Sequence, residues 1–166
     1  MLDAVLDSTG TRPVVRLERR LPRPPAEVWL ALTDRDELAA WFPCDIITDE
    51  WKTDATLRFV FRGGEADDLD GTVLECDEPG LLAFTWGEET LRFEIAPDGA
   101  GSVLVLTDEL PAAWAARNTA GWEACLERLE GRVPERDFWK GRFDRYVATF
   151  EPLVGHQEGP PPAPDP

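Results

Sequence analysis

Leu81-Leu82-Ala83-Phe84-Thr85-Trp86-Gly87-Glu88-Glu89-Thr90-Leu91-Arg92-Phe93-Glu94-Ile95-Ala96-Pro97-Asp98-Gly99-Ala100-Gly101-Ser102-Val103-Leu104-Val105-Leu106-Thr107 decides the fold class. It holds three alternating segments divided by two turn signals. Leu82, Phe84 and Trp86 share one side of residues 81–86, and Leu91, Phe93 and Ile95 share one side of residues 90–96. Residues 102–107 alternate again. Period-two alternation is the mark of a strand with one buried face. Gly87-Glu88-Glu89 reads as a tight connection and Pro97-Asp98-Gly99 as a hairpin turn. Consecutive strands joined by short turns form an antiparallel meander.

Upstream, residues 69–76 read as a strand closed by Asp77-Glu78-Pro79-Gly80, and residues 56–61 as one with Leu57, Phe59 and Phe61 on a single face. A short strand is expected at 44–47. Residues 63–68 read as an acidic, flexible loop, and the stretch 65–70 lacks the ligand spacing of a calcium loop and reads as solvated. Residues 14–21 alternate with Val15, Leu17, Arg19 and Leu21 on one side; Arg19 interrupts the apolar face, so one end of this strand is expected to be exposed. Pro22-Arg23-Pro24-Pro25 stops it and opens a helix, since proline suits a first helical turn. Val28, Trp29 and Leu32 follow at helical spacing. Asp34, with Glu37 three residues on, has the pattern of a capping box for a second short helix carrying Leu38, Trp41 and Phe42, which Pro43 ends.

Downstream, Pro111 opens a helical stretch on which Trp114, Gly121, Trp122, Cys125, Leu126 and Leu129 recur at three- and four-residue spacing. Gly131 and Pro134 interrupt it. Residues 135–150, with Trp139, Phe143, Tyr146, Val147 and Phe150 on one stripe, either continue this helix or form a separate one. The expected organisation is a flexible lead-in over 1–12, one domain over 13–152, and a disordered proline-rich tail over 153–166. Five of the 15 prolines lie in the last seven residues.

The 166 residues suit one domain, and 43% hydrophobic residues suffice for a core. The charge is lopsided: 33 Asp and Glu against 17 Lys and Arg, a formal net of −16. Such a chain repels phosphate backbones and anionic membrane surfaces, so neither nucleic acid nor membrane is an expected partner. No apolar run approaches the roughly 20 residues of a membrane span. Met1 to Asp7 has neither the basic region nor the long apolar region of a signal peptide, and the three cysteines (Cys44, Cys76 and Cys125) have no CxxC spacing. A cytoplasmic location with free thiols is therefore expected. The single histidine, His156, sits in the Gly/Pro-rich end, which argues against Ser-His-Asp, Cys-His and multi-histidine metal sites inside the fold. No metal and no cofactor is implied.

A strand, two short helices, a meander and a long amphipathic helix together imply an α+β fold, with the helix covering the aromatic face of the sheet. The stretch Val15-Arg16-Leu17-Glu18-Arg19, followed by 24–34 and by Trp41-Phe42, resembles the opening of the START-like (SRPBCC) superfamily. It is most similar to the branch named after the activator of the HSP-90 ATPase. Residues 70–75 and 82–86 resemble that branch's middle strands, and Gly121-Trp122-Glu123-Ala124-Cys125-Leu126-Glu127-Arg128-Leu129 its C-terminal helix signature. The resemblance spans about 14–150. It implies a helix-grip (Bet v-like) fold: a curved antiparallel sheet around a long C-terminal helix, with a deep apolar cavity. Members bind lipids, hormones or polyketides, or act as cyclases, so fold alone does not set function. The eukaryotic activator's separate N-terminal domain has no counterpart in this sequence, so the branch name does not by itself extend co-chaperone activity to it.

The candidate ligand-binding residues are Trp29, Trp41, Phe42, Phe59, Phe61, Trp86, Phe93, Trp114, Asn118 and Trp122. The aromatics either line a cavity and stack on a ligand or pack as plain core. Asn118 shares the stripe of Trp114 and Trp122 and could hydrogen-bond a ligand, or be a helix-surface amide. Arg58 and Arg92, of opposite parity to the aromatics, are expected to face solvent and pair with acids. Asp108 and Glu109 read as a solvated cap of the following helix, with acid–base work as the alternative. Three functional readings follow: a non-catalytic module holding a small apolar ligand; an interaction or co-chaperone-like module docking a basic partner through its acidic surface; and a cyclase- or hydrolase-type enzyme using Asp, Arg or the single tyrosine, Tyr146. A homodimer is compatible with each.

Overall fold

The alternating segments become strands of one eight-stranded antiparallel sheet in a computed structural model, which describes residues 4–64, 66–135 and 138–159. The strands are β1 (Ala4–Asp7), β2 (Val14–Leu21), β3 (Asp45–Ile47), β4 (Thr56–Val60), β5 (Leu69–Asp77), β6 (Leu81–Trp86), β7 (Glu89–Asp98) and β8 (Gly101–Glu109). Their order across the sheet is β1-β2-β8-β7-β6-β5-β4-β3. The helices are α1 (Pro25–Thr33), α2 (Arg35–Ala39), α3 (Ala115–Leu129) and α4 (Phe138–Val154). The fold is thus α+β, with a long helix packed on the face of the sheet that carries the apolar residues.

That face is set by parity. Val15 and Leu17 of β2, Leu104 and Leu106 of β8, Leu91 and Phe93 of β7, and Leu82 and Phe84 of β6 are all buried. Register brings Leu17 opposite Leu106, and Leu106 opposite Phe93. The sheet bends where β5 passes from β4 to β6, with a register shift between Val73 and Glu75. Gly71 permits this: a Cβ there would lie 2.2 Å from the Thr85 carbonyl oxygen and 2.7 Å from Phe59 Cε2. Pro25 begins α1, and the Asp34 side chain accepts from the backbone N–H groups of Asp36 and Glu37 to start α2, as its sequence pattern predicts. Arg58 and Arg92 pair at the surface with Asp68 and with Glu75 and Glu94. Arg19, on the inner face, is covered by the end of α3 and lies 3.9 Å from Glu130.

Two expectations change, and one open alternative is decided. Residues 4–7 of the lead-in are β1: Ala4 and Leu6 pack on the core while their backbone pairs with the open edge of β2. Two apolar residues are too few for periodicity to register, and the edge supplies the rest. At the other end, α4 continues to Val154 and closes at Gly155, whose φ of +90° suits a helix stop. Gln157 beyond it is buried, so the expected tail is structured as far as 159; residues 160–166 lie outside the described part. Finally, α4 is separate from α3, which ends at Leu129 shortly before Gly131 with its φ of +79°, and packs against it. Among the described residues, no helix is long and apolar enough to cross a membrane.

Candidate functional site

Helical spacing puts Trp114, Arg117, Asn118, Gly121, Trp122 and Cys125 along one side of the start of α3. Opposite this stripe stand Trp86, which ends β6, Glu89, which begins β7, and Pro43, which follows α2. Between them lies a recess of about 130 Å³, lined by Pro43, Trp86 and the α3 residues from Arg117 to Cys125, with mostly apolar walls. It meets a second, more open recess of about 340 Å³ bounded by Phe61, Leu69, Trp86, Glu89, Trp114 and Trp139. Arg117 and Asn118 border both, so the two form one cleft.

Gly121 matters to the first recess. It sits inside α3, where glycine costs about 0.5–1 kcal/mol relative to alanine. A Cβ at this position would meet nothing within 4 Å. The missing side chain is therefore open volume in the wall of the recess.

The ten sequence candidates divide. Phe61, Trp86, Trp114, Asn118 and Trp122 border the cleft. Trp29, Trp41, Phe42, Phe59 and Phe93 are buried in the core and line neither recess. Trp41 donates its indole N–H to the Ala31 carbonyl at 2.8 Å and meets Phe93 edge-on at 6.1 Å. Phe59 stacks on Phe84 at 5.8 Å, and Phe42 lies 5.7 Å from Trp122 and 6.0 Å from Trp86. These rings fill the sheet–helix interior, where the resemblance implied a deep cavity, and back the cleft with a firm aromatic wall.

A buried acid pair closes the cleft on the β7–β8 side. Asp108 is fully buried, which overturns its reading as a solvated cap. Its parity is that of Leu104 and Leu106, so β8 carries it onto the inner face. Its Oδ2 accepts from the Trp122 indole N–H at 2.8 Å. Its Oδ1 is buried with no protein donor, and its side chain interacts with the Glu89 carboxyl. Glu89 is also buried and accepts from Asn118 Nδ2 at 2.6 Å. Burial, then the neighbouring Glu89 charge, pushes the Asp108 carboxyl well above the usual range; burial likewise raises Glu89, opposed by its hydrogen bonds. Two interacting carboxyl groups titrate as a pair, and burial pushes both toward the protonated form.

Arg117 and, more weakly, Arg12 oppose the rise at Glu89. Arg117 lies over the Trp114 ring, 4.6 Å from its centroid, and 3.7 Å from the Glu158 carboxylate. The chain after α4 folds back here. Gln157 Oε1 accepts from Ala116 N at 2.8 Å, its Nε2 donates to the Ala112 carbonyl at 2.8 Å, and Trp114 Nε1 donates to Glu158 at 3.2 Å.

Tyr146 donates to Glu123 between α3 and α4 and lines neither recess. Burial pushes the Cys44 thiol up to about 12 and the Cys125 thiol to about 11, so neither is a nucleophile. Among the described residues, no group of three or more His, Cys, Asp or Glu converges to hold a metal ion.

A family model of Activator of Hsp90 ATPase homolog 1-like proteins matches residues 22–133. Solved structures share the architecture. EF2215 from Enterococcus faecalis, described as of unknown function, superposes with a TM-score of 0.78 at 21% identity, over 90% of this chain and 91% of its own. CalU16 from Micromonospora echinospora gives 0.69 at 21% identity, over 89% and 94%. BPP1335 from Bordetella parapertussis gives 0.63 at 26% identity, over 96% and 98%. No protein of curated function matches the chain.

Proposed function

We propose that this chain, which belongs to the Activator of Hsp90 ATPase homolog 1-like family, binds a small aromatic molecule in the cleft between α3 and the β6–β7 end of the sheet. The observation that carries the reading is Gly121: an interior helix position left without a side chain opens the one-ring recess between Trp86 and Trp122. A dry cavity of roughly 150 Å³ takes benzene, so about 130 Å³ admits one ring, and the adjoining recess admits the remainder of a larger ligand. The indole faces supply stacking surface, and Asn118, Arg117 and Glu89 supply orientation.

The test fills the recess. Gly121→Leu places a side chain in open space on a helix that favours leucine over glycine. The expected result is unchanged or higher stability with loss of binding of a bicyclic aromatic probe, indole, followed by NMR chemical-shift titration. Native followed by denaturing mass spectrometry of protein purified from cells reads any retained molecule. Indole that fails to bind the wild type, or that binds Gly121→Leu equally well, refutes the reading.

A further inference from the structure

The cleft has one polar element that its apolar walls do not explain, the Glu89–Asp108 pair. Glu89 borders the outer recess beside Trp86 and Trp114 while staying buried. Asn118 anchors one of its oxygens, and Asp108 is anchored in turn by Trp122. Both anchors come from α3, so the helix that forms one wall also fixes the carboxylate of the other. Asp108 Oδ1 has no donor from the protein. A carboxylate held this rigidly beside aromatic faces is an acceptor prepared in advance, and leaving it unmet on desolvation is costly.

We infer that Glu89 is the specificity-determining acceptor of the cleft, and that its ligands are uncharged aromatic molecules carrying an N–H or O–H donor on the ring edge. The inference rests on the cleft being a ligand site, as proposed above. Neutrality follows from the partners already present. Arg117 is engaged by Glu158 at 3.7 Å and by the Trp114 ring, and the Glu89 carboxyl by Asn118. A charged ligand would enter this setting without a spare counter-charge. A ring with no donor would cover Glu89 and strip its water without replacing it.

The experiment compares three probes of nearly one shape by NMR titration: indole, benzofuran, in which oxygen replaces the N–H, and N-methylindole, in which the donor is blocked. Indole is expected to bind roughly tenfold or more tightly than benzofuran, as suits a hydrogen bond to a charged acceptor. N-methylindole should bind no better than benzofuran, and this arm needs no substitution. Glu89→Gln keeps an amide to meet Asp108 and should reduce the preference for indole over benzofuran below about threefold. Equal binding of all three probes, or a preference that survives Glu89→Gln, overturns the inference but leaves the aromatic cleft standing. Failure of all three to bind overturns both.

Discussion

Gln157 is the residue whose removal most directly tests how the end of the chain is held. Its amide caps α3 from a distance of more than one helix in sequence. Oε1 takes the N–H of Ala116, a fully buried residue in the first turn, and Nε2 meets the carbonyls of Ala112 and Gly155 at 2.8 and 3.0 Å. Gln157→Ala removes the acceptor and both donors. Losing an N-terminal cap costs about 0.5–2 kcal/mol. Leaving a buried N–H without a partner costs about 1–3 kcal/mol. The two figures describe overlapping losses, so the expected total is about 2 kcal/mol rather than their sum. For a domain of this length that lowers the melting temperature by roughly 4–8 °C. Gln157→Glu should cost less: its carboxylate still accepts from Ala116 and suits a helix N-terminus, although it no longer donates to Ala112. Thermal and urea unfolding followed by circular dichroism measure both. A Gln157→Ala change below about 0.5 kcal/mol, the usual scatter for a surface substitution, would refute the capping role.

Three further outcomes are expected. Both carboxyls of the pair are raised in the folded chain above the ordinary values of 3.8 and 4.5, so their contribution to stability is full below those values and is lost as pH rises through the raised native ones; Asp108→Asn, whose amide can meet Glu89 and Trp122 without a proton, should flatten this decline in urea unfolding above about pH 4, and parallel wild-type and variant curves would count against the raised pair. Gly71→Ala forces a Cβ against the Thr85 carbonyl oxygen at 2.2 Å, so it should cost about 2–4 kcal/mol or prevent folding, measured by unfolding, and a loss under about 1 kcal/mol would show that the bend does not depend on the glycine. Cys44 and Cys125, buried with raised thiol values of about 12 and 11, should resist iodoacetamide in native protein while the less buried Cys76 reacts first, read by peptide mass spectrometry.

The fold was legible because alternation persists for six or more residues in each central strand. Residues 81–86 are β6 to the residue, and the Asp34 pattern is the cap of α2. What escaped was short or set by tertiary pairing. β1 has two inward apolar residues and exists because β2 offers an edge. The stretch 155–159 is ordered by hydrogen bonds to α3, which no local pattern encodes. The acid pair is a different case. Glu89 is one step before Leu91 on the parity of Leu91, Phe93 and Ile95, and Asp108 one step after Leu106 on that of Leu104 and Leu106. Strand ends read at Thr90 and Thr107 exclude both acids. Extending each strand by a single period-two step places two carboxyl groups on the buried face, and two such steps on neighbouring strands are a signal visible in sequence alone. The aromatics were harder. Phe59 and Phe61 are both inward by parity, yet one is core and the other cleft wall, because β4 ends at Val60 and Phe61 lies beyond it.

The volume available in a sheet wrapped round a helix is set by what its concave face carries. Here Trp41, Phe42, Phe59, Phe84 and Phe93 occupy the interior in an interlocked set of ring contacts at 5.5–6.4 Å. Such packing stabilises through apolar burial and leaves little room for a long-chain ligand at the centre. Space survives where the ring set ends, at Gly121 and at the N-terminal half of α3. That is also where the acid pair, Arg117 and the folded-back 155–159 segment converge. Enlarging the interior should therefore not substitute for the cleft. Phe84→Ala would cost about 3–5 kcal/mol of stability, and the cavity it leaves is walled by aromatics without a polar group to orient a guest. Gly121, by contrast, gives up about 0.5–1 kcal/mol of helix propensity for a recess that ends at Asn118, which holds the Glu89 carboxyl of the adjoining recess. The physical difference between the two places is a directional acceptor beside the void, and it is this acceptor that turns space into selectivity.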